Sequence, residues 1–435
     1  MKTRHHLVMF LSFALCLSAQ AQKRSLTLDE MFRLADENNK ALRTNSIGVQ
    51  AAQEGLFAAK SGRLPDINAS LSASYIGNGY LWDRNFGNGM PIDMPHFGNN
   101  FSLQVAQVIY AGGALNSGIA LADLGVQMAQ LQHEQKRQEV HFLLAGHYLD
   151  LFKLGNQIRI FDQNIALTEK MLDDIRNRQA QGMALKNDIT RYELQLENLK
   201  MQRTRLLNGK EILNYQLTNA IGWDTSVEIE PDSTLIHNIL QTISENDWQQ
   251  SASQNAPALR QLDLVIRMNE EKEKLAQSAR RPKLALVGEE HLDGPILIEV
   301  PVINKNFNYW FVGLGLQYDL SSLYKSSHDI RKARLEVQRS QEEKTVVAEG
   351  VDNGVHAVFV QYQEAVKNLE ICEKTLALAN ENYRMTRNRY DNELALLTDM
   401  LDASNSKLSA ELEWVNAKIS IYYYYLNLHY LTGKL

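Results

Sequence analysis

Asp399 and Asp402, three residues apart, are two carboxylates spaced to act together. On a helix that spacing puts both on one face. Several copies gathered around an axis would then form stacked acidic rings, which favour cations. The competing reading is helix-start chemistry, because an aspartate in a first turn caps free N–H groups and favours the dipole. Sliding the chain along itself by 211 residues lays Asp188 over Asp399, and Asp188 fits the capping reading well. The same shift lays Arg191 over Asp402, so an Arg191–Asp402 contact is a further expectation.

Other candidate groups offer less. His133-Glu134 has no second histidine four positions after His133, and no Gly-x-Ser-x-Gly or phosphate-binding loop occurs. His141 and His147 are six apart, a poor same-face spacing for metal ligation, and read as packed or solvated side chains. No catalytic residue, metal site or cofactor is therefore assigned, and an enzyme is not expected. A formal charge of −6 gives no basic footprint for nucleic acid.

Residues 1–21 read as a cleaved secretory signal. Lys2, Arg4, His5 and His6 precede an apolar run from Leu7 to Leu17, and Ala19-Gln20-Ala21 supplies the small-x-small cleavage site. Cys16 follows Phe13-Ala14-Leu15, a poor lipoprotein signal, so no lipid anchor is expected. Cys372 is then the only cysteine left. It sits on an apolar helical seam and reads as a small core residue. After residue 21 no apolar stretch approaches the ~20 residues of a membrane-spanning helix.

The elements that must position these residues are duplicated. The 211-residue shift also lays Arg178 over Arg389, Ala184-Leu185 over Ala395-Leu396, and Gly222 over Gly433. Further upstream, Ser61-Gly62-Arg63-Leu64-Pro65 resembles Ser278-Ala279-Arg280-Arg281-Pro282. No proline falls between Pro95 and Pro231 or after Pro301, which permits long helices. Leu151, Leu154, Ile158, Phe161, Ile165, Leu172 and Ile175 follow 3-and-4 spacing, with Thr168 in one polar slot. Val355, Val358, Tyr362, Ala365, Leu369, Cys372, Leu376, Ala379 and Tyr383 do the same. Such stripes indicate coiled-coil packing of helices over residues 112–178 and 324–388, each about 100 Å long. Each helix turns back, into a return helix over 187–221 or 396–432. The Tyr422 to Tyr425 run reads as packing between helices.

Strand signals precede each long helix. Ile67, Ala69, Leu71, Ala73 and Tyr75 alternate with Asn68, Ser70, Ser72 and Ser74. Phe101, Leu103 and Val105 oppose Ser102, Gln104 and Ala106. Trp310, Val312, Leu314, Leu316, Tyr318 and Leu320 oppose Gly313, Gly315, Gln317 and Asp319. With a weaker run from Lys283, strands are expected over 66–76, 100–110, 283–292 and 309–320. Alternation over about ten residues suits outer-membrane barrel strands, although a half-buried soluble hairpin alternates equally well. Four strands cannot close a barrel, so closure would require several protomers, with two supplying eight strands and three supplying twelve.

The signal, the duplicated strand and long-helix plan, and Thr398-Asp399-Met400-Leu401-Asp402-Ala403 together resemble the TolC family of outer-membrane efflux channels. The resemblance covers essentially the whole mature chain. It implies a mostly α fold in two repeats, residues 22–222 and 244–435, joined by an equatorial segment over 223–243. It further implies a homotrimer with a twelve-stranded outer-membrane β-barrel and a helical periplasmic tunnel. Leu71, Tyr75, Leu103, Leu314 and Leu316 would then face lipid. Asp399 and Asp402 would line the periplasmic mouth, with Arg191 nearby. The turns containing Gly182, Met183, Ala184, Leu394 and Ala395 would dock a periplasmic adaptor, itself joined to an inner-membrane pump. The implied function is passive conduction of substrates from that pump to the exterior, in efflux or type I secretion. The alternative is a periplasmic coiled-coil adaptor or structural spacer. That class would normally carry one helical hairpin flanked by β-rich segments, where this chain has two.

Overall fold

The computed structural model describes residues 23–232 and 244–435. The signal expected over 1–21, and residues 233–243 of the equatorial segment, lie outside the described residues.

Each repeat opens with a short helix, a break and a helix of two further lengths. In the first, α1 (Leu28–Asn38) gives way to α2 (Lys40–Ser61) at Asn39. Asn39 donates its backbone N–H to Ala35, closing α1. Its side chain accepts from the N–H groups of Ala41 and Leu42, capping α2. In the second repeat α5 (Glu245–Asn255) gives way to α6 (Pro257–Ser278). There Pro257 occupies the first helical position, where its missing N–H costs nothing.

The strands β2 (Asp66–Tyr75), β5 (Phe97–Ala111), β7 (Lys283–Gly294) and β8 (Phe307–Gln317) form one antiparallel sheet in that order. A small hairpin, β3 (Gly79–Leu81) with β4 (Met90–Ile92), lies in the loop between β2 and β5. Then come the long helix α3 (Ala114–Ala180) and its return α4 (Lys186–Ile221). In the second repeat a short α7 (Ser322–Lys325) precedes the long α8 (Ser327–Asp391) and its return α9 (Leu397–Leu431). The chain is thus mostly helical with a four-stranded sheet, in the duplicated plan its sequence implies.

Two boundaries differ from expectation for a visible reason. Tyr318 and Leu320, expected on the fourth strand, lie beyond β8 because Asp319 folds the chain into a turn. Its carboxylate accepts from the N–H and hydroxyl of Ser321, at 3.0 and 2.8 Å. The turn starts α7, so the long helix begins at Ser327, three residues later than expected.

The chain divides into two compact units, and each draws on both repeats. One comprises Met1–Ser46, Leu131–Arg260 and Val346–Leu435; the other comprises Ile47–Gln130 and Gln261–Thr345. The sheet belongs to the second. Within it, ion pairs Arg334–Glu273 and Lys344–Asp263 tie α8 to α6.

In the first unit the apolar stripes of the long helices are the covered positions, with Leu151, Phe161, Thr168, Leu172 and Ile175 all buried. Thr168 satisfies its hydroxyl on the carbonyl of Asn164. Two matching cores lie where the helices gather. Leu144, Tyr148 and Leu217 pack with Met31 and Ala35; at corresponding places Val355, Phe359 and Leu428 pack with Trp248 and Ala252. The first core carries an addition that sequence periodicity did not reveal. A strand β1 (Lys23–Leu26) pairs in parallel with β6 (Glu228–Pro231). Tyr148 holds both: its hydroxyl donates to the carbonyl of Leu26 at 2.7 Å and accepts from the N–H of Asp232 at 2.8 Å.

Gly222 and Gly433 end the two return helices with φ of 78° and 69°. A Cβ at Gly222 would stand 2.7 Å from the Cβ of Asn38, and one at Gly433 would stand 2.6 Å from the carbonyl oxygen of Asn255. Glycine is needed twice over, for the left-handed cap and for the close approach.

Candidate functional site

Strand register sorts every side chain of the sheet onto one of two faces. Leu71 pairs with Phe101, which pairs with Leu292; Ala69 pairs with Leu103, and Ile67 with Val105. Leu286 pairs with Leu314, and Leu284 with Leu316. Leu71, Tyr75, Leu103, Leu314 and Leu316 therefore share one apolar face. On the outer strands that face is open: Leu71 is 80% exposed and Leu314 68%. One acid, Glu290, interrupts it between Leu103 and Trp310, where it accepts a hydrogen bond from Asn308 at 3.2 Å.

The opposite face is mostly polar across β2 and β5, and on β8 it carries Phe307, Tyr309 and Phe311. Ser70 and Ser102 share a hydrogen bond of 2.8 Å, and Asn100 donates to Asp293. Glu289 and His291 continue this face along β7. Among the described residues the outward edges of β2 and β8 carry no partner strand, and both strands are exposed along their whole length.

The hairpin tips are built alike. In the first, Met183 N–H donates to Arg178 carbonyl at 2.8 Å, and Gly182 takes φ of 76°. In the second, Leu394 N–H donates to Arg389 carbonyl at 2.7 Å, and Glu393 takes φ of 61°. Beneath the turns, Met171, Ile175, Tyr192, Leu196, Tyr390 and Met400 are buried together, with Ala184 and Ala395 packed against them. The Arg178 guanidinium lies over the Tyr390 ring, 5.0 Å from its centre. Arg387 reaches Asp174 at 3.2 Å and Asp391 at 3.0 Å, locking the two hairpins together. Burial pushes the Tyr192 phenol well above its ordinary range, so it stays neutral inside this cluster.

Four large apolar side chains stand out of the tips: Met183, Leu185, Leu394 and Leu396. Leu185 and Leu396 were absent from the expected docking set. Their position immediately before the return helices hid them, since an apolar residue there is ordinarily a packing residue.

The two aspartates sit in different surroundings. Asp399 accepts the backbone N–H of Leu396 at 3.0 Å, as Asp188 accepts that of Leu185 at 2.9 Å. Both complete the start of a return helix, as capping chemistry predicts. Asp402 is exposed, one helical turn further on. Among the described residues no ion pair joins Asp402 to Arg191 within the chain, so the intrachain version of that expectation is not realised. Both side chains are exposed and point off the packed seam.

His141 is a packing residue. It is buried, stacked on Phe32 at 4.3 Å, and its Nε2 lies 2.8 Å from the Asp36 carboxylate. Among the described residues no group of three or more His, Cys, Asp or Glu could hold a metal ion. Cys372 is partly covered on its seam, and burial pushes its thiol pKa up. The tyrosine run is built into helix packing: Tyr423 meets Phe142, and Tyr425 meets Trp248, Tyr362 and His429.

Among known structures, the outer membrane protein VceC of Vibrio cholerae is similar, with a TM-score of 0.77 at 15% identity over 93% of this chain and 96% of that one. The CmeC outer membrane channel of Campylobacter jejuni gives 0.75 at 16% identity, over 94% and 85%. The proteases secretion protein PrtF of Dickeya chrysanthemi is 22% identical over 96% of this chain and 89% of its own length. The family model for outer membrane efflux proteins matches residues 31–222 and 248–434, which takes in both repeats. The chain belongs to the outer membrane efflux protein family.

Proposed function

We propose that the chain is the outer-membrane duct of an efflux or type I secretion system, conducting substrates passively from the periplasmic side to the exterior. The observation that carries this reading is the four-stranded sheet, with one face apolar, one face mostly polar and two unpaired edges. An open apolar face of this size requires lipid or protein against it. Two open edges require partner strands. Three chains, each contributing four strands, would satisfy both requirements in one closed barrel. The name of the secretion relative extends the candidate cargo from small molecules to polypeptides.

In this assembly the tips carrying Gly182, Met183, Ala184, Leu394 and Ala395 meet a periplasmic adaptor, and an inner-membrane pump supplies the energy. The exposed Leu185 and Leu396 enlarge that docking surface. Asp402 repeats three times around the periplasmic mouth, with Asp399 holding the helix that presents it and Arg191 as its partner across protomers. Cleavage near Ala21 without lipidation releases the mature chain for insertion.

The test is fractionation followed by electrophoresis without heating. The duct reading expects the protein in outer membranes as an oligomer that heat dissociates, and ion conductance when the purified protein is added to a planar bilayer. Recovery as a soluble periplasmic monomer would overturn it in favour of a coiled-coil adaptor or spacer.

A further inference from the structure

The polar face of the sheet is chemically graded from strand to strand, and one side of it has a composition unusual for a water-filled lumen. Asn68, Ser70 and Ser72 of β2, like their partners on β5, are small and neutral. On β7 the same face presents Glu289, His291 and Asp293, and beside them β8 presents Phe311, Tyr309 and Phe307. The pairing is rung by rung, acid to ring at both ends and His291 to Tyr309 in the middle. Tyr309 stacks on His291 at 5.0 Å and on Phe307 at 5.3 Å, forming a continuous aromatic column. His291 Nε2 lies 3.1 Å from Glu289. The strand cation on this face, Lys283, is six residues from Glu289, about 20 Å along β7.

We infer that this paired column of carboxylates and aromatic rings is a lumenal binding lane for organic cations that carry an aromatic or alkyl body. The inference rests on the barrel reading, which turns this face towards the lumen. A ring face attracts cations through its quadrupole, and an adjoining carboxylate adds to that attraction where water is partly excluded. A simple acidic wall would hold hydrated metal cations equally well; the rings select for an apolar body. The neighbour across the β8 edge leaves the lane open. In the proposed trimer that neighbour is β2, whose side chains on this face are Asp66, Asn68, Ser70, Ser72 and Ser74, all too small to cover the rings. Three copies give three lanes along the barrel wall.

The experiment uses the whole protein in a planar bilayer and asks how tetraphenylphosphonium, added from the exterior side, blocks potassium current. The comparison compound is tetraphenylborate, of the same shape and opposite charge. The lane predicts block by the phosphonium and little by the borate. The half-blocking concentration should rise roughly tenfold in Glu289→Gln/Asp293→Asn and again in Phe307→Leu/Tyr309→Leu, which keeps apolar bulk while removing the rings. Asp399→Ala/Asp402→Ala should retain the block, separating the lane from the periplasmic mouth. Equal block by both compounds, or unchanged block in either lane variant, would overturn the inference. If a lane variant fails to assemble, binding of the phosphonium to the detergent-solubilised wild-type protein, with the borate as control, decides the same question. Absence of any conductance from the wild-type protein would instead refute the barrel reading.

Discussion

Gly182 and Glu393 hold the same place in the two hairpin turns, 211 residues apart, both in the left-handed region. Glycine adopts that conformation freely, whereas a side chain there costs about 1 kcal/mol. Glu393→Gly should therefore stabilise the second tip by about 1 kcal/mol, and Gly182→Glu should weaken the first by a similar amount. Amide hydrogen exchange over residues 389–399 and 178–188 measures each change. Faster exchange in Glu393→Gly would contradict the expectation.

Asp399 and Asp402 should separate on mutation. Asp399→Ala removes the bond to Leu396 N–H and should loosen the start of α9 by about 1 kcal/mol. Asp402→Ala should leave that helix start intact and weaken cation preference and block by multivalent cations from the periplasmic side. Single-channel recording beside hydrogen exchange distinguishes the two. Unchanged ion selectivity in Asp402→Ala would remove it from the mouth.

The two sheet faces predict opposite responses to charge. Leu71→Arg and Leu314→Arg should impair membrane assembly, each costing roughly 2–4 kcal/mol at the bilayer midplane. Ser72→Arg, on the polar face, should assemble and change conductance. Quantifying heat-dissociable oligomer in outer membranes checks all three, and equal tolerance would contradict the facing.

Tyr148→Phe should cost about 1 kcal/mol, because it removes the hydroxyl that bridges the Leu26 carbonyl and the Asp232 N–H while leaving their direct bond of 3.2 Å. The loss should be local. Proteolysis near residues 23–26 should accelerate while the sheet remains protected. Phe359, at the matching place, is the control, since truncating it to Leu should not affect β1.

Acid should destabilise the helical unit through His147 and His429. Burial holds both below the ordinary histidine value, so the native state favours their neutral forms. The unfolded chain then binds more protons below about pH 6.5, and stability falls as pH drops through that value. Urea midpoints in detergent at pH 7.5 and 5.5 measure the fall. His147→Gln/His429→Gln should flatten it.

Much of the fold was legible because its signals are long. The Leu151 to Ile175 stripe spans seven helical turns, and Ile67 to Tyr75 alternates without a break. A four-residue strand such as β1 offers no period to read, and its partner β6 lies about 200 residues away. The β3–β4 hairpin is three residues a side and contains Pro91. Around the tips, the turns and the Asp188–Asp399 correspondence were legible from the repeat. The aromatic column was not, because Phe307, Tyr309 and Phe311 share a face with Glu289 and Asp293 only through strand pairing. Glu393 was also hidden, since nothing local marks a glutamate that must take a glycine's conformation.

Each compact unit needs both halves of the chain. β5 cannot gain its partner β7 until residue 294 has been delivered, nor can β1 rest on β6 before residue 231. On the proposed export route, threaded across the inner membrane from its N-terminus, the polypeptide would travel most of its length with the strands proposed to face lipid uncovered. Loop closure over such separations is slow. The duplicated architecture therefore carries a transit hazard, a long interval in which Leu71 and its neighbours are open to wrong partners and to proteases. A periplasmic holding chaperone would shorten that exposure, and depleting it should reduce yield far more than it alters the stability of molecules already assembled.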